Sequence, residues 1–424
     1  MVTITALGAV IGLITAILII MKKGNPAYAL IFGSVVGGII GGASLKETVE
    51  VMIGGAQGMI PAILRILTAG ILAGVLIETG AAKKIAETII LKLGESKAIF
   101  AIVISTAILT MVGVFINVSV ITVAPIAMVI AKKANISRTG ILIAMIGGGK
   151  AGNIISPNPN SIAAADAFKV PLTSVMAAGV IPAIFGIVVS IIIAKMLSQK
   201  GSMVSDEEFE KGLEEEKEIE MNGPSFFSAM AGPLVVIIIL VLRPIFGIVV
   251  DPLIALPVGG FVGCLAMGKV KNFNRYCIFG LSKMVDVAIL LLGTGTLSGI
   301  IANSTVKVVL TEFLSSTGAP AFILAPLAGI LMSGATASTT SGTAVGSQVF
   351  GTTLLSLGVP ALNSAAMINS GATVLDHLPH GSFFHTAGGT VNMEMKEKLA
   401  LIPYESLVGL TLVFVSTILY GILF

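Results

Sequence analysis

The chain has 424 residues, 55% of them hydrophobic and 11% charged, with a mean hydropathy of +1.03. Soluble domains carry about 25% charged residues, so this composition excludes a soluble enzyme and specifies a polytopic membrane protein; no nucleic-acid partner is expected. The net charge of +3 says little by itself, and the two cysteines, Cys264 and Cys277, have no metal-type spacing and make no disulfide framework.

The first span is Val2–Ile20, which lacks the basic n-region and small-residue cleavage site of a signal peptide. Lys22 and Lys23 follow it, so the positive-inside rule places the N-terminus outside. A second span over about 27–43 returns to the outside at Lys46, and a third lies within Gly58–Gly80, with Arg65 and Glu78 near its ends. In Ala81–Glu95, Lys83, Lys84, Glu87 and Lys92 interleave with Ile85, Ile89, Ile90 and Leu93, the pattern of an interfacial amphipathic helix too polar to span. Lys97–Lys133 holds two short apolar runs around a polar centre, Asn117-Val118-Ser119, with basic residues at both ends. Each run falls short of the roughly 20 residues a span needs, which fits a re-entrant hairpin over about 97–133. The next helix starts near Thr139, breaks at GGGKAGNIISPNPN with Pro157 and Pro159, and resumes at Ser161–Phe168 before Lys169 outside. Leu172–Met196 returns to the cytoplasm and closes a first membrane repeat, 1–199.

Residues 200–223 hold nine of the 22 acidic residues and read as a cytoplasmic linker. A second membrane repeat, 224–424, follows the same order. Spans over about 226–249 and 253–268 precede a basic loop with Lys269, Lys271 and Arg275. In the span Met284–Asn303, LGTGTLSGII at Leu292–Ile301 matches ILTAGILAGVL at Ile66–Leu76, pairing Gly70 and Gly74 with Gly295 and Gly299. An interfacial segment, Thr305–Thr317, leads to a second hairpin over about 319–357 with its polar centre at Gly334–Thr343. A second broken helix, about 360–392, is interrupted at DHLPHGS, and Leu399–Phe424 is the last span. Crossings counted this way give about ten spans plus two hairpins, and the third span runs opposite to its partner near Met284. The expected fold is an all-α polytopic membrane protein of two inverted repeats with discontinuous helices. That is the architecture of secondary transporters, whose site lies at the repeat interface near the bilayer midplane. The expected location is the cell (inner) membrane, with both termini outside and the linker cytoplasmic.

Four polar breaks should converge: the hairpin tips near Asn117–Thr122 and Ser338–Thr343, and the helix breaks at Lys150–Ser161 and Asp376–Ser382. A helix N-terminus carries about half a positive charge and free N–H donors, which suit a carboxylate; Asn160 and Ser161 stand where the second half-helix would be capped. Substrate contacts are expected from Asn117, Ser119, Lys150, Ser156, Asn158, Asn160, Ser161, Ser338, Thr339, Thr340, Ser341 and His380. The plainer alternative for the hydroxyls and amides is hydrogen bonding to neighbouring helices. Arg65, Glu78, Asp166 and Asp286 lie nearer span ends and read as structural. All three histidines, His377, His380 and His385, fall between Asn369 and Asn392. Histidine titrates near neutral pH and ionisable groups at bilayer depth are costly, so Asp376, His377 and His380 are expected to carry proton coupling. Pro379 and Gly381 break the helical spacing that a three-histidine metal site would use, so no metal and no cofactor are expected. The coupling ion is H+ in this reading, with Na+ as the alternative, since the Ser/Thr/Asn-rich tips could supply its oxygen ligands. A cation/proton antiporter would need paired acids at the breaks. An intramembrane enzyme would need a nucleophile–base pair, and no nucleophile elbow is present.

GGGKAGNIISPNPNSIAAAD, and LDHLPHGSFFHTAGG with its following TVNM, resemble the gluconate permease (gluconate:H+ symporter) family of the ion transporter superfamily, over nearly the whole chain. The resemblance implies a proton-coupled symporter of small hydroxycarboxylates built as two inverted repeats. In the distantly related divalent anion/sodium symporters, hairpin tips and broken helices bind carboxylate and ion in a homodimer whose transport domain moves as an elevator. Matched by position, those roles fall on Asn117, Ser119, the 156–161 break, Ser338–Ser341 and the 376–382 break. Lys150 stands where gluconate permeases are expected to have an uncharged residue, which leaves 3-hydroxybutyrate, lactate and glycerate open beside gluconate.

Overall fold

The computed structural model describes residues 3–207, 209–210, 223–306, 308–309, 312, 316 and 318–423. Most of the acidic linker and much of the segment 305–317 lie beyond the described residues. Among those described there is no strand, only two isolated bridges, Ile4 with Ser304 and Ser137 with Met203. Among the described residues, six helices are long and apolar enough to cross a bilayer, seven if one bent pair counts as a span, and four shorter helices are also apolar.

The first half contains α1 (Ala6–Met21), α2 (Pro26–Ile40), α3 (Leu45–Gln57), α4 (Ile60–Glu78), α5 (Ala81–Leu93), α6 (Ala98–Met111), α7 (Ile116–Lys133), α8 (Arg138–Asn153), α9 (Pro159–Phe168), α10 (Leu172–Ala178) and α11 (Val180–Leu197). The second contains α12 (Phe226–Phe246), α13 (Pro252–Ala266), α14 (Phe273–Ala302), α15 (Leu324–Thr336), α16 (Thr339–Ser356), α17 (Ala361–Gly371), α18 (Ser382–Thr390) and α19 (Met395–Thr417). The same local chemistry starts equivalent helices. Asn25 caps α2 and Asp251 caps α13, each side chain accepting backbone N–H bonds, and each is followed by a proline whose fixed φ suits the first helical turn.

Two elements differ from the sequence expectation and a third agrees with it. Leu45–Gln57 is a helix of its own, started by a reciprocal capping box between Ser44 and Glu47. It is separated from α4 only at Gly58 and Met59, whereas its counterpart in the second half is the single 30-residue helix α14. The segment Leu172–Met196, expected as one span, is two helices joined at Gly179. The helix α5 forms as its periodicity predicts, burying Ile85, Ala86 and Ile90, and turns by 103° into α6 at Gly94, whose φ is +72°.

The long helix α14 packs against α2, α3 and α4. The same sequence offset separates Gly55 from Gly280 and Gly70 from Gly295. In space the pairs cross over: Gly280 lies on Gly70 and Gly74, and Gly295 and Gly299 lie on Gly55. The glycines matched in sequence therefore form two symmetry-related close approaches of backbone, where a Cβ at Gly280 would collide with the Gly70 carbonyl. Lipid gives no hydrophobic drive for helices to associate, so such approaches supply the packing that holds them. Gly280→Val should overpack this crossing at a cost of about 1–3 kcal/mol and lower the melting temperature of the purified protein. Gly54→Ala, one residue from Gly55 but with open space where the methyl would lie, should leave it unchanged; equal melting of the two variants would remove the crossing from the stability argument.

Candidate functional site

Each half contributes one hairpin and one interrupted helix. The hairpins are α6–α7, turning through 112–115, and α15–α16, turning at Ala337 and Ser338; Ala337 takes a left-handed φ of +46°. The interruptions run from Ile154 to Asn158 between α8 and α9, and from Ala372 to Gly381 between α17 and α18, so the second begins four residues before Asp376. The cap of α9 is Asn158, not Asn160 or Ser161: its Oδ1 accepts from the Ser161 amide at 3.4 Å, and Pro159 opens the helix. Ser338 caps α16 in the same way, accepting from the Ser341 amide at 3.2 Å.

All four breaks reach one cavity of about 420 Å³. Of the expected residues, Asn117, Asn158, Asn160, Ser338, Thr339, Thr340, Ser341 and Asp376 line it, joined by Asn153, Lys283, Ser382 and Thr386. The polar groups divide into two sets. Asn158 donates to Asn153, Asn160 donates to Asn369 Oδ1 at 2.8 Å, and Thr339 Oγ1 donates to Asp376 Oδ2 at 2.5 Å, so these hold the walls together. Asn117, Thr340, Ser341, Ser382 and Thr386 face the cavity with no side-chain hydrogen bond inside the protein among the described residues, and are free for a ligand.

The other expected residues lie elsewhere. Ser119 and Ser156 are fully buried, each with an Oγ lacking a protein partner among the described residues. Ser161 is buried 3.4 Å from Asn369 Nδ2. His380 does not line the cavity: its Nε2 meets the Ala335 carbonyl at 3.2 Å on the last turn of α15. His385 folds onto the Pro379 carbonyl at 2.8 Å.

Lys150 lies behind the cavity wall, fully buried. Its ammonium is 2.7 Å from Asp376 Oδ1, 2.6 Å from the Thr373 carbonyl, 3.3 Å from the Glu405 carbonyl and 2.9 Å from His377 Nδ1. His377 is also fully buried, and its Nε2 faces the Ile402 carbonyl at 3.1 Å and Ser406 Oγ at 3.2 Å. Its Nδ1 also lies 3.1 Å from Asp376 Oδ1, so the ring sits between that carboxylate and α19. One lysine thus joins α8 to the second break and to α19.

Sequence reasoning missed two features. Asn369, on α17, accepts from Asn160 and from Thr343 (3.4 Å), tying α9 and α16 to the second interrupted helix. Lys398, just before the span that starts at Leu399, is buried in an ion pair with Glu405 and lies 5.3 Å from the Phe384 ring; its spacing of seven from Glu405 puts both on one face of α19, a signal present in the sequence. Arg65 and Asp166, expected to be structural, are so placed: Arg65 pairs with both Asp166 of α9 and Asp251, whose Oδ2 lies 2.6 Å away. That links the interrupted helix to the cap of α13.

The family profile of the GntP family permeases matches residues 1–423. The chain belongs to that family. It is 59% identical over 422 residues to an uncharacterized transporter of Haemophilus influenzae, covering 100% of this chain and 99% of the relative. A gluconate permease of Bacillus licheniformis is 23% identical over 411 residues, covering 88% of this chain and 90% of that protein. In fold the chain is similar to the crystal structure of the Alcanivorax borkumensis YdaH transporter, with a TM-score of 0.68 at 15% identity over 96% of this chain and 98% of that one. This GntP permease is an integral membrane transporter.

Removing one partner of a buried ion pair strands the other, at about 3–5 kcal/mol. Lys398→Met should therefore lower the melting temperature strongly, and adding Glu405→Met should restore most of it. Thermal unfolding of the detergent-purified variants measures both; a double variant no better than the single would show that the pair is not a closed unit.

Proposed function

We propose that this GntP permease is a proton-coupled symporter of a small hydroxycarboxylate, working by alternating access of elevator type. The observation that supports this most is the convergence of both hairpins and both interrupted helices on one cavity walled by free amide and hydroxyl groups. Such groups recognise hydroxyls by hydrogen bonds, and a site built to bond a hydroxyl rejects analogues that lack it. In this reading Asn117, Thr340, Ser341, Ser382 and Thr386 contact substrate, while Asn158, Asn160, Ser338 and Thr339 shape the wall. Lys150 acts on the substrate only through Asp376.

Asp376 is the coupling group because it is the acid that reaches the cavity and is at once tied to Thr339, Lys150 and His377. A proton taken up at Asp376 cancels its charge and weakens its bonds to Lys150 and Thr339, linking proton occupancy to the second hairpin tip. His377, against the same carboxylate, is the second member of the relay, and His380 stands outside it. The moving unit is the pair of hairpins with α8, α9, α17 and α18, travelling against α3, α4 and α14. The protein resides in the inner membrane as a homodimer, with both termini outside and the linker cytoplasmic.

In proteoliposomes, an inward proton gradient should drive accumulation of gluconate or 3-hydroxybutyrate, and a sodium gradient should not. The paired variant Lys150→Met with Asp376→Asn keeps the buried site neutral and should bind substrate yet fail to accumulate it. Strict sodium dependence with no response to pH would sink the proton reading and move coupling to the hairpin tips. For substrate contact, Asn117→Ala and Ser341→Ala should each raise Kd by about two- to tenfold, the loss expected for one hydrogen bond, without lowering the melting temperature. Affinities unchanged in both would remove the tips from the binding site.

A further inference from the structure

We infer that Lys283 supplies the positive charge that holds the substrate carboxylate in the state seen here, before the moving unit carries it past α14. The acid's charged end then lies against α14, and its hydroxyls lie against the hairpin tips and helix breaks. The inference rests on the carboxylate reading above.

Lys283 lies ten residues in from Phe273, the first residue of α14, a rise of about 15 Å along the axis. A cation carried on a membrane-spanning helix is costly unless it faces water or an anion. The side chain is exposed, and with Met284 and Val287 it forms the part of the cavity wall contributed by α14.

Among the described residues lining the cavity, Lys283 and Asp376 alone carry charge. The two are not equivalent. Asp376 is neutralised by Lys150 at 2.7 Å, whereas no described carboxylate lies within ion-pair distance of Lys283. Asp286, one turn further along α14, neither pairs with it nor lines the cavity. The lysine ammonium instead lies 5.1 Å from the Phe279 ring, a weak cation–π contact that points the side chain without using up its donors. The cavity therefore carries one unanswered positive charge, opposite a wall of uncharged donors and acceptors. A monocarboxylate with a hydroxylated tail matches both sides. Lysine, a compact charge with three rotatable donors, can meet acids of different length.

The test is binding of gluconate and 3-hydroxybutyrate to the detergent-purified full chain, with glucitol and butane-1,3-diol as their uncharged counterparts. Lys283→Gln should weaken both acids by about ten- to a hundredfold, the loss of a charge-assisted bond, and leave the two neutral compounds unaffected. Lys283→Arg keeps the charge and should recover most of the acid affinity. Acid affinity in Lys283→Gln within about threefold of wild type would overturn the inference and make the lysine a snorkelling anchor. Equal losses in the Gln and Arg variants with lowered melting temperature would also overturn it, as a packing role. Wild-type protein that binds neither acid would overturn the carboxylate reading itself and this inference with it.

Discussion

The structure depends on a lysine that has no water. Lys150 is enclosed at the end of α8, where an unpaired ammonium would be prohibitive. Asp376 answers the charge, and the Thr373 carbonyl of the second interruption and the Glu405 carbonyl of α19 lie within reach of its other donors. The interruption leaves the Thr373 carbonyl at a helix end, and Lys150 is its donor at 2.6 Å. Conversely, the backbone freed at bilayer depth has a protein donor where lipid offers none. Helix break and buried charge each satisfy what the other leaves exposed.

From that pair, polar connections run outward. Asp376 reaches Thr339 at the start of α16, which fixes the second hairpin tip against the second break. Asn369, a turn or two earlier, bonds to Asn160 of α9 and Thr343 of α16, so interrupted helices from both halves meet through one amide. Lys398 and Glu405 close the far side, and the Glu405 carbonyl returns to Lys150. Such a network is rigid when every member is partnered and costly when one is removed. The cavity is built on its margin, where Asn117, Thr340, Ser341, Ser382 and Thr386 keep their bonding capacity unused. Groups that hold the site and groups available to a ligand are therefore different side chains of the same residue types.

Much of this was legible in the sequence. Composition and charge distribution specify a membrane protein, because lipid excludes charge whatever the fold. Short apolar runs around polar centres mark both hairpins, and proline with glycine marks both interruptions, since the backbone geometry of these residues acts locally. The motifs around Lys150 and Asp376 point to the permease family that the whole-chain match establishes. The Asx-Pro starts of α2 and α13 are equally local, and so is the capping box of α3, which length-based span counting passed over.

Partnership is what the sequence does not contain. Serine, threonine and asparagine look alike in a motif whether they staple two helices or face a cavity; Thr339 and Thr340 are neighbours, yet one is committed to Asp376 and the other is free. Lys150 reads as an anion anchor until Asp376 is found beside it, and Lys283 reads as an ordinary basic residue until its place on the cavity wall is seen. The repeated glycines could be aligned by sequence, but that Gly70 meets Gly280 while Gly295 meets Gly55 follows from how the halves cross. Local rules determine where a chain bends and which face of it can be buried. Which buried charge meets which partner depends on contacts hundreds of residues apart, and only the tertiary structure decides it.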